Sequence, residues 1–348
     1  MVKPHGSFSL SVDFGTTNTL VFAKDAGVVV NQATLLALRS EAGKTQSFKV
    51  LGAGSSVSPL IGRTAPLISV EAPLASGVIR DTELAKILLH ELISNHLPWS
   101  RHIPLPHRGR GVLISAPREV TEYERSAFQD AARSLGFASV GVVDEPLSAA
   151  LGSGLPLFAP QGQMLVDLGS GITEAIIMSS GMVVESGSFR QGGNDVDQEI
   201  VDYLENQHSF KIALGHARDI KERFGAVGTA VREMEIQLQG KCLKTKLPRK
   251  RSMTAGELSL CLNSYVDRVQ RLILDVMEKA DPELVSDVLE GGVWLSGGGA
   301  LLPGLSAELE RRLNFAVRAV ENPLGAVIAG NGMIVNEPGY ATLCRTVS

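Results

Sequence analysis

Short apolar runs separated by Gly, Asp and Asn open the chain and predict a meander of β-hairpins. The predicted strands are 8–12, 19–23, 28–30 and 35–38. Residues 41–71 are polar and irregular and then interrupted by proline, which indicates a small inserted subdomain. Apolar residues recur every three or four positions along 81–92, a spacing typical of an amphipathic helix.

The middle of the chain alternates between strand and helix. An apolar strand is predicted at 111–116, followed by a helix that opens on a capping box beginning at Thr121. This helix ends at Gly136 and is followed by strand 139–143. Pro146 then lies in the first turn of the next helix, where proline is favoured. The alternation indicates a parallel sheet with crossover helices.

The second half of the chain repeats the design of the first. An apolar strand that ends in Asp and runs into a Gly-rich turn occurs at 11–19 and again at 165–173. Asp13 and Asp167 therefore lie 154 positions apart. Further strands are predicted at 164–167, 174–178, 182–189 and 293–295, and helices at 194–206, 213–224 and 255–280. We expect two similar halves that pack against each other across a cleft.

Length and composition suit two ordinary globular domains. The 348 residues are 44% hydrophobic and 20% charged, so each domain can bury a sizeable core. A net charge of −4 excludes a nucleic-acid binder that works by charge alone. The three cysteines lack metal spacing, the N-terminus is too short and polar for a signal peptide, and no apolar stretch approaches the roughly 20 residues of a membrane span. These features predict a cytoplasmic protein.

The two Gly-rich turns carry the clearest chemistry. A turn of Gly, Ser and Thr directs backbone N–H groups and hydroxyls inward, which suits a phosphate chain, and a neighbouring carboxylate can hold a hydrated divalent cation. The candidate phosphate-binding residues are Gly15, Thr16, Thr17, Asn18, Gly169, Ser170 and Gly171. The candidate Mg²⁺ ligands, acting through water, are Asp13 and Asp167. Two such turns in matching halves predict a clamp on a nucleotide triphosphate.

Glu145 is the candidate for ordering a water for attack on a γ-phosphate. It lies where a predicted strand meets a helix, and ligands in open α/β sheets bind at the carboxyl ends of strands. An acid at a helix N-terminus is also stabilising for electrostatic reasons alone. Thr173 is a candidate to hydrogen-bond the same water, although threonine is also a good strand former. Asp167 completes the catalytic candidates.

A third glycine turn and a charged pair on a helix admit two interpretations each. The turn consists of Gly297, Gly298, Gly299 and Ala300. Its missing side chains would let the backbone approach a purine base or an α-phosphate, although a triple glycine is also a common plain connection. Lys221 and Glu222 lie on a predicted helix, where such charges usually form a solvated face.

Two surface segments are candidates for contact with partners. Residues 97–105 combine Trp99 and Ile103 with Arg and His, a mixture that suits a membrane interface but is also found in an ordinary loop that covers a helix end. A basic, hairpin-like run consists of Lys241, Lys244, Lys246, Arg249, Lys250 and Arg251. Such a run is usually a solvated hairpin tip, although it could also meet anionic lipid or a partner.

Taken together, these motifs resemble the MreB family of bacterial actins, within the superfamily of actin, heat-shock chaperone and sugar-kinase ATPases. The resemblance covers nearly the whole chain, from Asp13 to about Val335. It rests on the first phosphate turn at 13–19 and on the segments 144–156, 190–197, 220–222 and 322–332. Ile172 departs from the family pattern, which is richer in Gly and Thr at the second turn.

The resemblance implies an α/β, actin-like ATPase fold, with two similar RNase H-like halves around a nucleotide cleft and a small inserted subdomain in each. Domain I would comprise 1–148 and 312–348, with its insert at about 33–75. Domain II would comprise 149–311, with its insert at about 190–255. Lys221 and Glu222 would then line the adenosine and ribose pocket, and Gly193 would belong to the same nucleotide site.

The resemblance also implies slow hydrolysis of ATP with Mg²⁺ and head-to-tail polymerisation into filaments that organise cell shape and cell-wall synthesis. Implied partners are further copies of the chain, the inner membrane through Trp99 and Ile103, and membrane proteins of morphogenesis, with no nucleic acid. A specialised filament that positions plasmids or organelles and a non-polymerising ATPase switch of the same fold are the alternatives. A chaperone would need a further peptide-binding domain, and a sugar kinase would need a longer chain.

Overall fold

The computed structural model describes residues 8–40, 48–96 and 111–347. By their contacts the residues separate into two units, one within Met1–Pro156 and Gly325–Ser348 and the other within Leu157–Leu324. Trp99 and Ile103 lie outside the described residues, so their predicted role at a membrane stays a prediction.

The main sheet of the first unit combines the first three strands of the chain with later strands. The strands are β1 (Phe8–Phe14), β2 (Asn18–Ala23), β3 (Gly27–Ala33), β4 (Leu36–Ser40), β5 (Phe48–Ala53), β6 (Ile68–Glu71), β7 (Leu74–Ala75), β8 (Val78–Ile79), β9 (Gly111–Ala116), β10 (Ser139–Asp144) and β19 (Arg345–Val347). The helices are α1 (Thr82–His96), α2 (Glu122–Arg133), α3 (Glu145–Gly152) and α9 (Ala326–Asn336). The main sheet has the order β19-β10-β9-β1-β2-β3, with β1, β9 and β10 parallel.

Local signals in the sequence set several of these elements. Thr121 and Glu124 form the predicted capping box, with the Glu124 N–H donating to Thr121 Oγ1 at 3.2 Å and the Thr121 N–H donating to Glu124 Oε2 at 2.8 Å. Apolar side chains of the main sheet and of α2 pack together, among them Val12, Ile114 and Phe128. The predicted α/β alternation in this part of the chain is confirmed.

The predicted meander was wrong about its fourth strand. The chain bends where the Leu35 N–H donates to the Ala33 carbonyl at 2.9 Å, and this bend separates β4 from β3. Strand β4 instead pairs with β5 and β6 in a small antiparallel sheet. The segment that we expected to be irregular is therefore partly ordered as strand, because the buried Leu36 and Leu38 supply an apolar face.

The second unit repeats the strand plan of the first. Its strands are β11 (Gln163–Leu168), β12 (Thr173–Ser179), β13 (Met182–Phe189), β14 (Phe210–Lys211), β15 (Glu235–Cys242), β16 (Pro248–Thr254), β17 (Val293–Ser296) and β18 (Val317–Ala319). Its helices are α4 (Gly193–His208), α5 (Leu214–Phe224), α6 (Ala255–Lys279), α7 (Pro282–Gly291) and α8 (Leu305–Leu313). The main sheet has the order β13-β12-β11-β17-β18, and β14, β15 and β16 form a separate sheet.

Residues 312–324, which the prediction placed in the first domain, contribute β18 to the sheet of the second unit through parallel pairing with β17. The predicted domain limits as a whole stay a prediction. Helices α7 and α9 and strand β18 were not predicted. Among the helices in the described ranges, none combines the length and the apolarity that crossing a membrane requires.

Helix α9 belongs to the first unit although it follows the second unit in sequence. It packs so closely against α3 that a Cβ atom at Gly330 would collide with the Ser148 carbonyl. Ser148 Oγ donates to Asn331 Oδ1 at 2.7 Å, and Asn331 Nδ2 donates to Ser115 Oγ at 3.3 Å. This buried chain of hydrogen bonds fixes α3, which begins at Glu145, against the main sheet.

Candidate functional site

The two Gly-rich turns have the same backbone structure. In the first, the Gly15 N–H donates to the Asn18 carbonyl at 3.0 Å, and in the second the Gly169 N–H donates to the Ile172 carbonyl at 3.0 Å. A Cβ atom at either glycine would lie 2.8 or 2.7 Å from that carbonyl oxygen, so both turns require glycine. The sequence repeat is therefore a structural repeat, which joins β1 to β2 and β11 to β12.

Neighbouring residues hold the first turn in place. Thr34 Oγ1 donates to the Gly15 carbonyl at 2.7 Å, and the Thr34 N–H donates to the Thr17 carbonyl at 2.8 Å. Thr16 Oγ1 accepts from the Gly77 N–H at 3.1 Å. Asn18 is exposed at the tip of the turn. The turn is thus a fixed platform of small polar residues.

The structure places Asp13 and Glu145 at the same edge of the first sheet. Asp13 on β1 is paired with Ser115 on β9, and Glu145 follows directly after the end of β10. Because β1, β9 and β10 run parallel, their carboxyl ends share one edge, where ligands of α/β sheets bind. This is the arrangement that the sequence predicted for a cation ligand and a water-ordering base.

Two arginines that the sequence analysis missed hold the junction before Glu145. The buried carboxylate of Asp144 accepts from Arg118 Nη1 at 2.5 Å and from Arg125 Nη1 at 3.2 Å. Arg125 Nη2 also donates to the Arg118 carbonyl at 3.0 Å. Fixing Asp144 in this way fixes the start of α3 and hence the position of Glu145. These three residues lie too far apart in sequence for any local pattern to connect them.

In the second unit, three glycine-containing turns meet at the carboxyl end of β11. The Gly193 N–H donates to the Gly169 carbonyl at 3.1 Å, and a Cβ atom at Gly192 would collide with that oxygen. The turn formed by Gly297, Gly298 and Gly299 reaches the same strand end, since a Cβ at Gly299 would lie 2.7 Å from Leu168 Cβ. Ser170, Gly171 and the buried Ala300 belong to these segments. The predicted binding residues of this unit therefore form one cradle of backbone.

Lys221 reaches this cradle from helix α5. Its Nζ donates to the Gly193 carbonyl at 2.5 Å and forms an ion pair with Asp197 Oδ1 at 2.6 Å. The Lys221 side chain is only 18% exposed, so the interpretation as a solvated face is wrong for this residue. Glu222 is exposed beside it on α5. Asp197, which is fully buried and also accepts from Arg218 Nε at 2.9 Å, is a positioning residue that the sequence analysis missed.

Asp167 lies buried at the end of β11, where its Oδ1 accepts from Ser296 Oγ at 2.7 Å. Burial raises the pKa of the Asp167 carboxyl, and the hydrogen bond from Ser296 opposes this shift. Carboxylate oxygens are suitable ligands for Mg²⁺, which keeps several waters when it binds proteins. No cluster of three His, Cys, Asp or Glu side chains able to hold a metal occurs among residues 8–40, 48–96 and 111–347. The carboxylate of Asp167 at this strand end is a donor of the kind that a hydrated cation uses.

Thr173 is fully buried and its hydroxyl bonds to protein groups. Thr173 Oγ1 donates to the Gln191 carbonyl at 3.0 Å and lies 2.9 Å from the Tyr265 hydroxyl. Burial raises the pKa of Tyr265, so the phenol keeps its proton and can donate it to Thr173. Because the Thr173 hydrogen is used by Gln191, the side chain could only accept a hydrogen bond from a water. Its catalytic role stays a prediction.

Comparison with known proteins gives one consistent result. The model of the MreB/Mbl protein family matches residues 7–341. The cell shape-determining protein Mbl of Bacillus cereus is 32% identical over 326 residues, which cover 94% of this chain and 95% of that protein. The cell shape-determining protein MreB of Escherichia coli is 33% identical over 333 residues, covering 95% and 94%.

A solved structure shows the same fold. The crystal structure of MreB 5 of Spiroplasma citri bound to AMPPNP matches with a TM-score of 0.86 and 28% identity, over 93% of this chain and 95% of that one. The likeness confirms the predicted actin-like α/β fold.

Proposed function

Because the chain belongs to the MreB/Mbl family, we propose that it is an actin homologue that binds and hydrolyses ATP and polymerises into filaments. The observation that carries the proposal is the cradle at the end of β11, where three glycine turns, Lys221 and Asp167 come together. The related MreB 5 structure was solved with AMPPNP, a triphosphate analogue, which supports a nucleotide as the ligand.

Backbone groups supply most of the proposed phosphate binding. The turns that begin at Gly15 and Gly169 present small residues whose N–H groups and hydroxyls can meet phosphate oxygens. Lys221 and Glu222 would contact the adenosine and ribose, with Gly193 beside them, and the turn at 297–300 would approach the base or α-phosphate. Asp13 and Asp167 would hold a hydrated Mg²⁺ ion, which when bound neutralises charge on the phosphates.

Glu145 is proposed to order the attacking water. A carboxylate fixed at a strand end can accept a proton or orient a water, and phosphoryl transfer depends on such positioning more than on covalent chemistry. The Arg118, Arg125 and Asp144 cluster supports this role, because it fixes the backbone from which Glu145 projects. Hydrolysis is expected to be slow, as in a filament whose nucleotide state regulates assembly.

We propose that subunits assemble head to tail, a heterologous contact that does not close and therefore produces filaments. Binding of ATP would favour the assembling state, and hydrolysis would shift the population away from it. The curated relatives are named cell shape-determining proteins, which supports a role in cell shape. We propose that the filaments act through cell-wall synthesis at the inner membrane. Trp99 and Ile103 are the proposed contact with that membrane.

High-speed sedimentation of the purified chain with ATP, ADP or no nucleotide tests the proposal, with negative-stain microscopy of the pellet. We expect ATP-dependent pelleting of filaments. A protein that hydrolyses ATP but stays in the supernatant at every salt and magnesium concentration would be a non-polymerising switch. Filaments whose loss leaves cell shape unchanged would indicate a specialised role in positioning plasmids or organelles.

A further inference from the structure

Positive charge is concentrated in the hairpin formed by β15, the turn at 243–247 and β16, here named the basic hairpin. Residues 240–251 contain six Lys and Arg and no Asp or Glu, in a chain whose net charge is −4. Arg251 is partly buried, with Nη2 lying 2.7 Å from His208 Nδ1. The other five are exposed, and none forms an ion pair with a carboxylate of the described ranges.

Strand register places two lysines of the basic hairpin and one lysine of β14 on the same face of the small sheet. Lys211 on β14 lies directly opposite Lys241 on β15, and Lys250 on β16 pairs with Gln239, two residues from Lys241 on the same face. Like charges directly opposite each other destabilise a sheet. Glu205 offsets Lys211 through an ion pair of 2.7 Å, but no carboxylate of the described residues offsets Lys241 in this way. The exposed face therefore suits an external anion.

The turn of the basic hairpin adds an apolar residue to this charged surface. The Cys242 N–H donates to the Leu247 carbonyl at 3.0 Å and the Lys246 N–H donates to the Cys242 carbonyl at 2.9 Å, so the turn is held by its own backbone. Leu247 is nevertheless 63% exposed, and Lys244 and Lys246 beside it are exposed as well. A leucine held in water among cations contributes nothing to the core of the unit.

We propose that the basic hairpin binds an anionic lipid surface, with its cations at the phosphate groups and Leu247 inserted between the headgroups. Lysine and arginine clusters are attracted to anionic leaflets, and an apolar side chain gains by entering the interface. A lipid surface is favoured because it offers phosphate groups to all the exposed cations and an apolar layer to Leu247 at the same time. The site is separate in sequence from the 97–105 segment and requires no nucleotide.

Vesicle flotation of the full chain without nucleotide tests the proposal. The probes are phosphatidylcholine vesicles with and without phosphatidylglycerol, and the test variant combines Lys244→Gln, Lys246→Gln and Lys250→Gln. We expect binding only to the anionic vesicles, weakened by about 100-fold in the triple variant because each surface cation contributes to attraction by the leaflet. Leu247→Ser should weaken binding by about 10-fold, through lost apolar burial.

A matched control removes the same charge elsewhere. Lys49→Gln, Arg271→Gln and Lys279→Gln change three exposed cations outside the basic hairpin and should leave binding unchanged. The comparison is repeated with Trp99→Ser and Ile103→Ser present, so that attachment through that segment cannot mask the effect. Unchanged melting temperatures would show that both triple variants are folded.

Equal binding by the test and control variants would overturn the proposal, as would a wild-type chain that never floats with anionic vesicles. If the test variant floats normally but no longer pellets with ATP, the basic hairpin is a contact between copies and the lipid proposal is wrong. Failure of ATP-dependent pelleting in every variant would count against the proposed function alone, since flotation is measured without nucleotide.

Discussion

Asp13 and Asp167 occupy equivalent positions on the central strands of their sheets, and each is paired with a serine on the neighbouring parallel strand. In the second unit, Ser296 Oγ donates to Asp167 Oδ1 at 2.7 Å. In the first unit, Ser115 Oγ donates instead to the Val12 carbonyl at 3.4 Å and accepts from Asn331. The same pair of residues therefore fixes a carboxylate in one unit and helps to dock a helix in the other.

The strand-to-helix junctions differ in a second way. Strand β10 runs into Glu145 and Pro146, whereas β18 is followed, after two residues, by Asn322 and Pro323. An amide cannot accept a proton, so of these two junctions only the one at Glu145 carries a side chain that could act as a general base. The repeated backbone plan has therefore kept its turns, while the side chains at the strand ends differ between the two copies.

The largest effect is expected at these junctions. Glu145→Ala should slow ATP hydrolysis by about 10²-fold or more, because it removes the proposed base while the binding turns remain. Nucleotide binding should survive. Turnover by a phosphate-release assay and binding by fluorescence titration measure the two quantities. Asn322→Ala is the matched control and should stay within about threefold of wild type; an equal loss in both variants would remove the proposed division of roles.

Each unit also contains a buried carboxylate held by two arginines, and the carboxylate of the second unit can be tested through pH. Arg311 and Arg312 hold the pKa of Glu308 down to about 2, while Asp144 is held by Arg118 and Arg125. Glu308→Gln should cost roughly 2 kcal/mol at neutral pH, less than the whole shift implies, because Arg311 is mostly exposed.

The sign of the pH dependence follows from the lowered pKa of Glu308. The stabilisation is complete above the ordinary pKa of 4.5 and is lost as the pH falls toward about 2. Urea unfolding of wild type and Glu308→Gln across this range measures it. A difference in stability that stayed constant down to the lowest pH would show that the ion pairs are not its source.

The paired turns should respond equally to the same substitution. Gly15→Ala and Gly169→Ala each place a Cβ atom against a carbonyl oxygen, at 2.8 and 2.7 Å, and should each cost about 1–2 kcal/mol of stability. Gly215→Ala provides the control, since open space surrounds that position and alanine there should stabilise α5 by roughly 0.5 kcal/mol. Thermal unfolding measures all three. A loss at only one of the two turns would mean that they are not equivalent.

The smallest effect concerns the threonine after each turn. Thr19 Oγ1 lies 2.9 Å from Thr34 Oγ1, and Thr173 bonds to Gln191 and Tyr265, so valine at either position should cost about 1 kcal/mol. If Thr173 also contacts the attacking water, only Thr173→Val should slow hydrolysis beyond its effect on stability. Equal turnover in the two variants would leave Thr173 with a structural role only.

Local signals made much of the fold predictable. The Thr121 capping box, the strand at 182–189 and the long helix from Ala255 follow from short-range patterns and are confirmed. The predicted pairing of the fourth strand was wrong because β4 pairs with β5 and β6 after the bend at Leu35. The alternation of apolar and polar residues does not show which strands pair with each other.

The repeated turns identified the candidate phosphate site, but the residues that hold this site in place could not be predicted from the sequence. Asp197 holds Lys221, and Tyr265 holds Thr173 from 92 positions away. Contacts of this kind depend on which helices pack against the sheet, and the spacing of residues in the sequence does not predict that packing.

Because α9 belongs to the first unit, the two units are expected to complete their folding in the opposite order to their synthesis. Leu157–Leu324 is continuous, so every strand and helix of the second unit is available once that stretch has left the ribosome. The first unit must wait for the residues that supply α9 and β19 at the end of the chain. During synthesis the half that is translated first is therefore expected to be the last completed, with the face of α3 that later receives α9 exposed to chaperones in the interval.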